Sequence, residues 1–197
     1  MLKIETIWRE LLYRAVEQHN PCFTTLELAR TFKLSTSMVA HALNPLRNMN
    51  MVEIQKTKSK VIDAEKLLLF WATRRNWKKD LLYTTYNHLP VMEIEAGMPS
   101  DVIPTAYSAY RFYCQDLPAD YDHVYFYTDD VTEVQRRFPP QPKQNPNIFI
   151  LKPDNFLSRY ERIPLAHIFA DLWSLPEWYS RDFSNALLIK IKEKIGL

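Results

Sequence analysis

Glycine is nearly missing from this chain: Gly97 and Gly196 are the only two in 197 residues. Loops that cradle phosphates need several glycines in a short window, because the backbone must come close to the phosphate oxygens. A P-loop, a dinucleotide fingerprint and a kinase-type loop are therefore excluded, and most nucleotide-using enzymes with them.

The remaining composition is that of an ordinary globular chain, 47% hydrophobic and 24% charged, with length enough for two small domains. The longest apolar runs, such as Leu67–Ala72, fall far short of the roughly 18 residues a membrane span requires. The N-terminus enters an amphipathic pattern directly and shows no signal core. With only Cys22 and Cys114, the reading is a cytoplasmic protein in a reducing compartment. His19 before Cys22 is the sole pairing near ligand spacing, so no metal and no cofactor are expected.

Net charge is +2 but uneven. Residues 1–62 hold nine Lys/Arg against five acids, whereas residues 63–197 hold 16 against 18. A basic head on a mildly acidic body is what a polyanion-binding module joined to a different domain shows.

Apolar residues Ile4, Ile7, Trp8, Leu11, Leu12, Ala15 and Val16 fall at helical spacing over residues 4–19. Thr24 or Thr25 caps a short second helix. Lys33-Leu34 makes a tight turn, and Ser35 caps a third helix carrying Val39, Leu43, Leu46 and Met49, stopped by a left-handed Asn50. Met51–Lys56 and Lys60–Ile62 flank Thr57-Lys58-Ser59 as a two-stranded hairpin. Two features strain this reading. Lys33 stands where a glycine often does, so a left-handed backbone there costs about 1 kcal/mol. Pro45 cannot donate to residue 41, and Asn44-Pro45 reads as a cap and first-turn proline dividing the third helix in two.

Asp63 caps a joining helix from Ala64 to about Trp77, with no flexible linker, so the two parts pack together. Beyond it, strands are expected at Leu81–Tyr86, His123–Tyr127 and Asn147–Leu151, and helices near 103–115, 130–138 and 177–195. The proline-rich stretch Phe138–Asn147 reads as an extended loop. The expected fold is α+β: a winged helix-turn-helix over 1–62 and an α/β body over 63–197.

Three segments of the body carry a resemblance: Asp63–Leu68 with Trp71-Ala72, Thr105–Tyr110, and Ala170–Pro176. With the N-terminal module they resemble the antitoxins of type IV abortive-infection (AbiE-type) toxin–antitoxin systems. The resemblance implies a body similar to nucleotidyltransferases but without catalysis. It also implies autoregulation through DNA and a nucleotidyltransferase-like toxin as counterpart.

The residues assigned to duplex DNA are Ser35, Thr36, Ser37, His41, Asn44 and Arg47 on the third helix and Lys56, Lys58 and Lys60 on the wing. Ser, Thr, His and Asn hydrogen-bond base edges or phosphates, and a major groove admits one helix. The three lysines alternate and so should share one face for phosphate contacts; an edge strand guarded by lysines gives the same pattern. The cluster Arg74-Arg75 and Lys78-Lys79 suits the end of a helix as well as a second phosphate contact. Asp130 with Glu133 fits a helix start, Asp171 a hydrogen-bonded structural acid, and the dense tyrosines and phenylalanines a core. No Gly-Ser pair accompanies Asp129-Asp130, so an enzyme is not expected. The expected function is a DNA-binding regulator, acting as a homodimer on paired half-sites; the alternative is a module that docks a protein through the same winged helix.

Overall fold

The computed structural model describes residues 1–114 and 116–196. The fold is α+β with two small sheets. Helix α1 (Lys3–Val16) is followed by β1 (Cys22–Phe23), α2 (Thr25–Thr31), α3 (Thr36–Asn48), β2 (Val52–Glu53) and β3 (Ser59–Val61). Local chemistry sets most of these boundaries. The Thr24 hydroxyl accepts from the Glu27 amide, the Ser35 hydroxyl from Met38, and the Asp63 carboxylate from Lys66, each capping the helix it precedes. Helices α2 and α3 stop alike. Lys33 (φ 51°) and Asn50 (φ 56°) turn left-handed, and Leu34 and Met51 donate back to the carbonyls of Ala29 and Leu46 at 2.9 Å. Lys33 thus adopts the costly conformation expected of it.

Two expectations are corrected here. Helix α3 is continuous through Pro45, so Asn44 is no cap. Proline leaves the His41 carbonyl without its helical donor; the helix is held there from outside, by burial of Val39, Ala42, Leu43 and Leu46 and by the Trp8 indole, which donates to the Ala42 carbonyl at 2.9 Å. The hairpin, moreover, belongs to a three-stranded antiparallel sheet in the order β1-β3-β2, with Cys22 opposite Lys60 and Val52 opposite Val61. β3 is its central strand, which removes the guarded-edge reading for Lys60.

The body begins with α4 (Ala64–Ala72). This helix ends at Ala72, short of the expected Trp77, and a 3-10 turn at Trp77–Asp80 leads into β4 (Leu81–Thr85). There follow α5 (Val91–Ala96), β5 (Ile103–Thr105), α6 (Ala106–Tyr113), β6 (Val124–Tyr127), α7 (Thr132–Arg137), β7 (Ile148–Leu151), α8 (Leu165–Trp173) and α9 (Ser180–Ile195). The second sheet has the order β4-β7-β6-β5: β6 and β7 are parallel, and the outer strands are antiparallel to them. Alternate residues feed opposite faces. Val124, Phe126, Ile148 and Ile150 pack with Ile94, Val134 and Phe138 from the α5 and α7 side, while Tyr125, Tyr127 and Leu151 join the main core. α5, α8 and β5 were not anticipated, and the start of the helix expected near 103 is β5. Of the tyrosines and phenylalanines read as core, Tyr107, Tyr110, Tyr125, Phe126 and Tyr127 are buried, whereas Phe112 is exposed.

One hydrophobic core runs from Ile7 to Ile191 through both halves. Its spine is α1, which buries the polar side chains of Glu5, Thr6, Arg9 and Glu10 as well. Glu5 accepts from the Trp71 indole (3.0 Å), Glu10 from the Tyr160 hydroxyl (2.8 Å) and Glu17 from the Leu165 amide (2.9 Å). The Arg9 guanidinium grips both Asp154 oxygens at 2.6 and 2.9 Å. Among the described residues no helix is long and apolar enough to cross a membrane.

Candidate nucleic-acid interface

The structure separates α3 into two faces. Val39, Ala42, Leu43 and Leu46 are buried against α1 and α2, and Ser35, Thr36, Ser37, Ala40, His41, Asn44 and Arg47 are exposed. The outward set is the one expected from the sequence, and among the described residues no part of the body covers it. Because α3 continues past Pro45, the exposed row runs on to Asn48, which sits one turn beyond Asn44 and was missed when the helix was taken to break. The Ser35 and Ser37 hydroxyls lie 2.9 Å apart at the start of the helix. At its end the Lys66 ammonium donates to the Met49 carbonyl at 2.8 Å, so this lysine serves the helix terminus.

The lysines of the hairpin are arranged differently from the expectation. Lys56 and Lys58 lie in the loop between β2 and β3, and only Lys60 lies in a strand, so the three do not share one face of a ladder. Lys60 faces Glu53 across the strands and pairs with it at 3.1 Å. The Gln55 amide and Lys60 together hold the Glu53 carboxyl below the usual range. Lys56 and Lys58 are exposed beside this neutralised pair. Beside α3 a cleft of about 520 Å³ opens, floored by Trp8 and Phe70 and rimmed by His41, Asn44 and Asn48.

The cluster after α4 does not form a single cationic face. Arg74 stacks on the Phe70 ring at 3.6 Å. Arg75 is buried, donating to Asp171 (2.8 Å), Asp80 (2.6 Å) and the Tyr127 hydroxyl (3.0 Å). Burial alone would lower the Arg75 pKa, but Tyr127, Asp171 and Asp80 outweigh it and raise the value. Asp171 also accepts from Thr105 and Tyr127, both at 2.7 Å, and is the hydrogen-bonded structural acid expected. His167 lies against this group, its Nε2 3.2 Å from the Tyr127 hydroxyl. Burial, then the charges of Arg9 and Arg75, drive its pKa well below the ordinary value.

Asp129 and Asp130 are exposed beyond the end of β6. The Asp130 carboxylate accepts from the Thr132 amide at 2.8 Å, while Glu133 turns away to bind Arg136 and Arg137, so the expected reciprocal cap does not form. Among the described residues no three His, Cys, Asp or Glu side chains are grouped as a metal ion requires. In comparisons with known proteins, no family model, no curated protein and no solved structure matches the chain.

Proposed function

We propose that this chain is a DNA-binding transcriptional regulator whose first 62 residues act as a winged helix-turn-helix. The observation that carries the reading is the uncovered polar face of α3, from Thr36 to Asn48, set on a fully buried apolar one. Side chains of this kind on a single exposed helix suit the donor and acceptor pattern of a major groove. The loop between β2 and β3 is the wing. Lys56 and Lys58 contact phosphates, and Lys60 contributes less because Glu53 already engages it. Two copies acting on paired half-sites supply the specificity that one short helix lacks.

The finer reading, an autoregulating antitoxin of the AbiE type, rests on the sequence resemblance of the body. On this reading residues 63–197 form a nucleotidyltransferase-like body without catalysis. Burial of Asp171 beneath Arg75, Thr105 and Tyr127 supports it, since that carboxylate is spent on the fold. The partner is then a nucleotidyltransferase-like toxin, expected in a neighbouring reading frame and in a co-purified complex.

The test is duplex binding by fluorescence anisotropy over a range of salt. Wild type should weaken steeply as salt rises, and Lys56→Gln/Lys58→Gln should lower the logarithmic slope by about 2. Glu53→Gln, which frees Lys60, should raise it. Binding that ignores salt and all three changes rejects DNA and favours docking of a protein.

A further inference from the structure

We infer that the duplex-binding surface continues past α3 onto the body, along a lysine-walled cleft that takes the DNA phosphate backbone. This inference rests on the reading above and adds residues that the sequence alone does not connect. A cleft of about 430 Å³ is bordered by Lys3 at the start of α1, Lys33 in the α2–α3 turn and Lys152 just after β7. These positions are far apart in the chain and reach one opening only through the fold. All three lysines are exposed, and among the described residues none is in an ion pair.

The two acids of the cleft, Asp80 and Asp154, do not offset them. Asp154 is gripped by both terminal nitrogens of the buried Arg9, which holds its pKa down against the opposing effect of burial. Asp80 accepts from the buried Arg75 and from the amino group of Met1. Each carboxylate is matched from behind, so the opening presents uncompensated positive charge. Its rim is continuous with the helix that faces DNA: Lys33 stands two residues before Ser35, the cap of α3. A duplex laid on the polar face of α3 therefore carries a backbone strand toward Lys33, with Lys3 and Lys152 beyond it. The charge and this continuity identify the occupant as a phosphodiester strand.

The experiment compares wild type, Lys3→Gln/Lys33→Gln/Lys152→Gln, and a charge-matched control, Lys143→Gln/Arg181→Gln/Lys194→Gln, whose positions lie outside the cleft. Circular dichroism melts establish that all three proteins fold. Anisotropy with a long duplex should show the cleft variant binding at least tenfold more weakly at low salt, its logarithmic salt slope reduced by about 2 to 3, with the control near wild type. Wild-type binding with equal slopes in both variants overturns this inference and leaves the α3 reading standing. No duplex binding by wild type overturns both. Pyrophosphate binding lost only in the cleft variant, with duplex binding unchanged, also overturns it and assigns the cleft to a small phosphate ligand.

Discussion

Replacing Arg75 by methionine should be the most damaging single change in the body. Methionine fills much of the same volume but removes the guanidinium that bridges Asp80 and Asp171. The structure gives the size of the loss: two charge-assisted hydrogen bonds, at 2.6 and 2.8 Å, and a third to the Tyr127 hydroxyl. Breaking a buried pair by removing one partner costs about 3–5 kcal/mol, because the other charge is left uncompensated. A chain of this size has roughly 5–15 kcal/mol in total, so about a fifth or more of the stability should go. At roughly 2–4 °C per kcal/mol, the melting midpoint should fall by about 6–20 °C. Urea unfolding followed by tryptophan fluorescence measures this directly. Arg75→Lys keeps the charge but cannot reach all three acceptors, and should fall between the two. A methionine variant within 0.5 kcal/mol of wild type would refute the account of a buried network held by this guanidinium.

Two further outcomes follow from other parts of the molecule. His167 is buried with its Nδ1 unpartnered and its folded pKa depressed, so the unfolded chain takes up the proton first as pH drops below about 6.5. Stability should therefore decline as pH falls through that region, and His167→Phe should flatten the decline in urea titrations run at pH 7 and pH 5. Pro45→Ala restores an amide donor for the His41 carbonyl, and should raise stability by about 1–2 kcal/mol after the unfolded chain's greater freedom is subtracted. A loss of stability on that change would mean that the half-buried proline ring itself is required for the packing of α3.

The N-terminal elements were largely legible because short-range chemistry fixes them. The caps Thr24, Ser35 and Asp63 and the left-handed Lys33 and Asn50 each act within a few residues. What was missed depends on distant partners. β1 is two residues long and exists through its pairing with β3. α8 is buried almost all round, its two polar residues His167 and Asp171 included, so it offers no solvent face of the kind that marks a surface helix. β5 runs straight into α6 through Ala106 at φ 49°, an unusual junction for a residue with a side chain, and the two fuse into one apparent helix in the sequence. Pro45 misled for the same reason, since the indole that accompanies an unbroken α3 lies 34 positions upstream of its acceptor. Of the candidate interface, the helix face was readable from periodicity. The extents of the wing strands and the Glu53–Lys60 pair were not, because a residue count does not say where a hairpin stops pairing.

Trp8 and Arg9 are adjacent on α1 yet grasp different things: one holds the backbone of α3, the other the segment after β7. Both sit on one unbroken helix of 14 residues. A force on Asp154 is thus handed to Ala42 with no intervening joint. Displacing the segment after β7 therefore either strains the seat of α3 or breaks a desolvated ion pair.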